Sequence, residues 1–228
     1  MKKLLLFAVL IGSVAATAQK GLYIKPTLGF GYSNTQPNSF ESTNKGGFAY
    51  TAGAQVGYKI NHVRFESGVN YISTSGKHNG YQFAEDVEFI GGGDVAYPKS
   101  YSNFKQTQHY LTVPMKLGYE AALNNKLSLV PMIGAELVFD LGNSYKGERF
   151  DLNDEKLGDF QGHFERDRPT VIGNVGVHVE YRMNRNVHLF CGPTGKYFLS
   201  NTFSHFQHNT SSAMPHILTM DMGLLYRF

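Results

Sequence analysis

The chain has one cysteine, Cys191, and no tryptophan in 228 residues. A single thiol rules out any disulfide within the chain, and no lipobox precedes it, which rules out a lipid anchor at a processed N-terminus. Surplus charge is also missing. With 21 Lys and Arg against 18 Asp and Glu the formal charge is +3, so there is no basic excess of the kind that nucleic acid attracts. The one sustained apolar run, residues 4–14, falls short of the roughly 20 residues that span a bilayer as a helix. If this chain crosses a membrane it must do so as a closed ring of strands, because an open sheet would leave backbone groups unsatisfied in lipid. The mean hydropathy of −0.27 is too polar for a helical membrane protein but natural for strands of which only one face is apolar.

What is present begins with an export signal. Lys2 and Lys3, the run Leu4 to Val14 and the small-residue site Ala16-Thr17-Ala18 describe a signal peptide over residues 1–18. The mature domain is then 19–228. Loss of the two lysines leaves it close to neutral.

Downstream, apolar residues recur at every second position in eight segments. They cover residues 22–32, 48–60, 63–71, 109–120, 127–140, 171–181, 187–199 and 218–228. The last is the purest, with Leu218, Met220, Met222, Leu224, Tyr226 and Phe228 on one face. The seventh departs, because Phe190 and Phe198 fall on its polar face. Asn61-His62, Asn124-Asn125 and residues 184–186 are short turns, whereas 33–47, 76–107, 142–169 and 200–214 are long and polar. Strict alternation of short and long connections predicts an all-β, eight-stranded, antiparallel up-and-down transmembrane barrel with periplasmic turns and extracellular loops. Two aromatic girdles accompany it: Phe30, Tyr32, Phe48, Tyr50, Tyr71, Phe139 and Tyr197 at the loop end, and Tyr58, Phe65, Tyr119, Tyr181, Tyr226 and Phe228 at the turn end. Pro26, Pro114, Pro131 and Pro193 each remove a ladder donor inside a strand and predict bulges or irregular pairing.

An alternating terminal strand closed by Phe228 resembles the C-terminal signal of Gram-negative outer-membrane barrels. The stretch Tyr110-Leu-Thr-Val-Pro-Met-Lys-Leu-Gly-Tyr119 resembles a strand of the outer-membrane β-barrel domain family, in particular its PorT-like small barrels. This resemblance implies residence in the cell outer membrane and reading of Leu224, Tyr226 and Phe228 by the insertion machinery. It also implies contact with outer-membrane lipids and lipopolysaccharide, and a part in assembling a secretion apparatus. A monomer without cofactor is expected.

On the inward face, Lys25, Lys59, Arg64, Lys116, Arg182, Lys196 and Arg227 nearly balance Glu66, Glu120, Glu136, Asp140, Glu180 and Asp221. An eight-stranded barrel is about wide enough to be filled by side chains, so the expectation is a salt-bridged plug that includes His178. The alternative is a narrow path for protons or small ions through Lys116, Glu120, His178 and Glu180. Ser204, His205, His208, Ser211 and Ser212 suggest a hydrolase acting on lipid A or peptides only weakly, since no orienting acid accompanies them. The His-x-x-His pair lacks further metal ligands. Residues 87–97 suit a Gly-turned hairpin above the membrane that can dock a protein partner, and the mixed charge of 146–168 suits a solvated loop. Three function classes follow: a non-enzymatic barrel for envelope integrity, surface binding or secretion-apparatus assembly; a narrow channel; and a barrel enzyme.

Overall fold

The structure, a computed structural model, describes residues 21–34, 43–81, 87–89, 96–98, 100–164, 170–199 and 216–228. The predicted signal peptide and the Ser204 to Ser212 cluster lie outside them. The strands are β1 (Leu22–Asn34), β2 (Thr43–Ile60), β3 (Val63–Tyr81), β4 (Val87–Phe89), β5 (Ala96–Pro98), β6 (Ser100–Tyr119), β7 (Ala121–Ala122), β8 (Leu127–Asp151), β9 (Lys156–Phe164), β10 (Thr170–Arg182), β11 (Val187–Phe198) and β12 (His216–Arg227). Eight of them, in the order β1-β2-β3-β6-β8-β10-β11-β12, are antiparallel to both neighbours, and pairing of β12 with β1 closes the ring. This is the predicted eight-stranded barrel.

Side-chain alternation explains the closure. Ile133 on the wall is 62% exposed while Arg64 is fully buried, an inversion of the arrangement in a water-soluble protein. Leu28, Val56, Val69, Met115, Val175 and Met220 stand outward in the same band. At its loop-end margin an aromatic belt runs Phe30–Phe48–Tyr50–Tyr71–His109, with successive ring centroids 5.8–6.4 Å apart. At the turn end Tyr226 meets Phe228 edge-on at 5.2 Å.

The short turns are held by asparagines. Asn61 takes a positive φ of 55° in the two-residue turn after β2, a conformation Asn tolerates better than most residues. The other two turns share one design: the Asn124 side-chain oxygen accepts from the Lys126 and Leu127 amides at 2.8 Å. Asn184 does the same for Asn186 and Val187 at 2.9 and 2.8 Å. Both are Asx-type turns in which a side chain replaces a backbone acceptor.

The prolines do not make bulges. Pro26 stays opposite Ala54, Pro114 opposite Glu136, Pro131 opposite Val177 and Pro193 opposite Met220. On the other side of each, the ladder skips two positions and resumes in the same register, between β1 and β12, β6 and β3, and β11 and β10. Opposite Pro131, β6 stops at Gly118 and β7 resumes the pairing at Ala121. A missing N–H faces one neighbour only, so the loss stays local.

Segments 76–107 and 142–169, expected as loops, are largely strand. β3, β6 and β8 have 19, 20 and 25 residues, against about 9–11 needed to cross a bilayer. Their outer halves, joined by the start of β2 and by β9, form a sheet that stands beyond the apolar band. The register shifts lie there and at its base, at Gly46/Ala49, His78/Tyr81, His109/Tyr110 and Arg149/Phe150. At the third, Leu141 is the extra residue of a bulge. Gly142 follows with φ of 134°, a value that favours glycine. β4 and β5 pair as the expected small hairpin.

Candidate functional site

The barrel interior is built in three tiers, of which the two nearer the turns hold most of the expected charged residues. Nearest the turns, Arg64 of β3 is bonded to both Glu120 and Glu180 of β10. Lys59 and Arg227 close on Glu120 at 2.7 and 2.9 Å, and His188 Nδ1 lies 3.9 Å from Glu180. One guanidinium thus bridges two carboxylates from separate strands, a geometry that a planar fork of donors suits.

In the middle tier, Lys25 of β1 donates to Glu66 of β3 at 3.1 Å, and the Tyr23 hydroxyl donates to the same carboxylate at 2.8 Å. The Lys25 ammonium sits 4.5 Å from the centroid of the Phe190 ring. It also lies 3.4 Å from His178 Nδ1 and 3.9 Å from the sulfur of Met132, on β10 and β8. In ring order β8 stands directly opposite β1, so this side chain spans the lumen. Glu136 accepts from Lys196, Thr112 and Asn174 at 2.9–3.2 Å. Lys116 faces Glu66 across the β3–β6 pair, and Asp221 accepts from Thr219 at 2.8 Å. Burying this much charge is tolerable only because each carboxylate named here is hydrogen-bonded or paired.

The third tier is apolar. Ala49, Ile72, Tyr110, Val138, Ile172, Phe198 and Ile217 form one buried cluster inside the loop end of the barrel. Tyr110 of β6 and Phe198 of β11 come within 6.1 Å across the lumen. Sequence reading treated Phe198 and Phe190 as exceptions and missed the rest. The available signal was parity: each of these residues continues the inward face of its strand.

Two expected interior charges are placed elsewhere. Arg182 is exposed at the turn end of β10, because the wall has ended there. Asp140 turns its carboxylate to the bulge, accepting from the Gly142 amide and the Asn143 side chain at 2.8 Å. His178 contacts Lys25 and Thr194, whereas Glu120 and Glu180 are joined through Arg64, so the four members of the suggested ion path divide between two tiers. Leu224, Tyr226 and Phe228 stand outward, and the Phe228 amide donates to the Leu22 carbonyl at 3.1 Å. Among the described residues no three His, Cys, Asp or Glu side chains group as a metal site.

The family model "Outer membrane protein beta-barrel domain" matches residues 4–228. No curated protein matches the chain. Among solved structures, Neisserial surface protein A is 14% identical with a TM-score of 0.45, over 91% of this chain and 97% of that one. The N-terminal β-barrel domain of OprF from Pseudomonas aeruginosa is 12% identical with a TM-score of 0.40, over 91% and 98%. The outer membrane protease OmpT from Escherichia coli is 9% identical with a TM-score of 0.41, over 93% and 98%.

Proposed function

Because the chain belongs to the outer membrane protein β-barrel domain family and so resides in the outer membrane, we propose that it is a non-conducting, non-enzymatic anchor whose working part is the sheet it raises above the cell surface. One observation carries this reading: side chains from opposite walls meet inside the barrel in all three tiers, while three strands run far past the membrane. A conduit needs a water column, and an apolar tier above two salt-bridged tiers opposes one. A raised sheet with an outer edge strand, β9, is instead suited to docking another protein by strand addition. The resemblance of the Tyr110–Tyr119 stretch to PorT-like barrels favours a partner from an envelope or secretion assembly.

Planar-bilayer recording and in-cell crosslinking test the reading together. The purified barrel should give no steady current. Crosslinks to a neighbour in intact cells should disappear when residues 143–164 are replaced by a short turn, with the barrel still assembled. A stable ion-selective current from the parent protein would replace this reading with the channel.

A further inference from the structure

We propose that the outward face of the raised sheet is a binding site for the phosphate groups of the lipopolysaccharide around the barrel. The inference rests on the outer-membrane barrel reading and adds a site to it.

The strand register puts four lysines in one line. Lys45 is directly opposite Lys77, Lys77 opposite Lys105, and Lys105 opposite Lys146. Residues directly opposed in antiparallel strands project from the same face, and all four are exposed. At about 4.8 Å between strands the row is about 14 Å long. Like charges directly opposed disfavour a sheet, and here the arrangement is repeated three times running. No ion pair joins any of the four to a carboxylate among the described residues. Glu148 and Asp159, which share a hollow with Lys77, Lys105 and Lys146, are both engaged by Lys156, at 2.7 and 2.8 Å, and Lys146 feels Asp159 at longer range. Among the described residues the four lysines outnumber the carboxylates beside them, and a set of external anions would complete the row.

The row beside it carries hydroxyl and imidazole groups, of which the Ser75 hydroxyl already donates to the Phe48 carbonyl at 3.1 Å. Ser75, Thr107, Ser144 and His163 are opposed in turn, two residues nearer the membrane. A concavity of about 460 Å³ has Lys77, Lys105, Lys146 and Asn103 on its walls, together with Glu148 and Asp159, the two acids held by Lys156. A second, of about 200 Å³, lies between Lys105, Lys146, Thr107, Ser144 and His163. Ammonium and hydroxyl donors around a shallow hollow fit a phosphate.

Position selects the membrane-borne source. On β3 and β6 the lysines share the odd-numbered face with Tyr71, His109 and Leu111, which is the face lipid covers lower down. Lys105 is four residues past His109 and Lys77 six past Tyr71. At about 3.3 Å per residue and about 45° of tilt they stand about 9–14 Å above the aromatic belt, at the level of lipid headgroups rather than of acyl chains.

The full chain in detergent, with bis-phosphorylated lipid A, dephosphorylated lipid A and soluble tripolyphosphate as probes, provides the test. The parent should retain bis-phosphorylated lipid A and lose it as salt is raised, with weak retention of the other two. K77Q/K105Q/K146Q should weaken that binding about a hundredfold, about fivefold per lysine, whereas K126Q at the turn end should change nothing. Heat-dependent gel mobility reports separately that each variant is a folded barrel. A folded triple variant that binds like the parent overturns the site while leaving the barrel reading intact. Equal retention of dephosphorylated lipid A, or tighter binding of tripolyphosphate, overturns the assignment to lipid phosphate.

Discussion

Glu66 shows how single side chains decide what the lumen is. It is buried and accepts from Lys25 and Tyr23, and the Tyr23 ring lies over Gly57, where a larger residue would displace it. Replacing Glu66 with alanine strands the Lys25 ammonium in the interior. The expected loss is about 3–5 kcal/mol in reversible unfolding, while the paired change K25M/E66L costs much less, because removing both charges removes the desolvation penalty as well. Urea titration of the folded fraction by gel mobility distinguishes them, and equal losses from the single and double variants would contradict the pairing. The carriers of this network were legible in the sequence, since parity alone puts Lys25, Glu66, Glu136 and Glu180 inward. Their partners were not: that Phe190 lies beneath Lys25 depends on the closed ring, which sets β11 next but one to β1.

At the scale of the element, each long strand is two things in succession. Up to Tyr71 and His109 one face of β3 and β6 meets lipid, and beyond them the inner face stays buried, with Ser102 and Gln108, while the outer face carries Lys77 and Lys105. His78 belongs to the outer half, where it is buried and stacks on Phe104 at 4.7 Å. Burial holds its imidazole down at about 4, with a hydrogen bond to Gln106 opposing the shift. The unfolded segment takes up a proton near 6.5. This site's contribution is therefore complete above about pH 6.5, declines by at most about 1.4 kcal/mol per unit as pH falls to about 4, and is constant below that. Hydrogen exchange in residues 74–81 and 100–109, corrected for intrinsic rates, should accelerate between pH 7 and 5. The variant H78F, which keeps a ring against Phe104, should be flat over that range; parallel pH profiles for the two would refute the assignment.

For the whole molecule the governing fact is an exchange of solvents, with charge inside and hydrocarbon outside. Val177, outward in the middle of β10, is 38% exposed and Leu152, in the β8–β9 turn, is 61% exposed. In water both would accept arginine at little cost. In a bilayer V177R should destabilise the folded barrel by about 2–4 kcal/mol while L152R stays near zero, because only the first charge is placed at the membrane midplane. Unfolding from lipid vesicles measures the difference, and equal stabilities would mean that lipid does not cover the wall.

Strand number, topology, the apolar band and both aromatic girdles could be read from the order of residues alone, because period-two alternation and connection length are local properties. The raised sheet escaped that reading because its buried inner face is itself polar, with His78, Ser102, Gln108 and Asn143, so apolar alternation disappears although the ladder continues. The irregular pairing expected at the prolines is present, but its side was not legible: a residue list shows the missing donor but not which neighbour loses it. The apolar tier and the lysine row needed the closed ring and its register, since residues far apart in the chain become adjacent only when strands pair or face each other across the lumen. The order of apolar and polar residues determined that this chain makes a barrel wall, and tertiary structure decided what fills it and what stands on it.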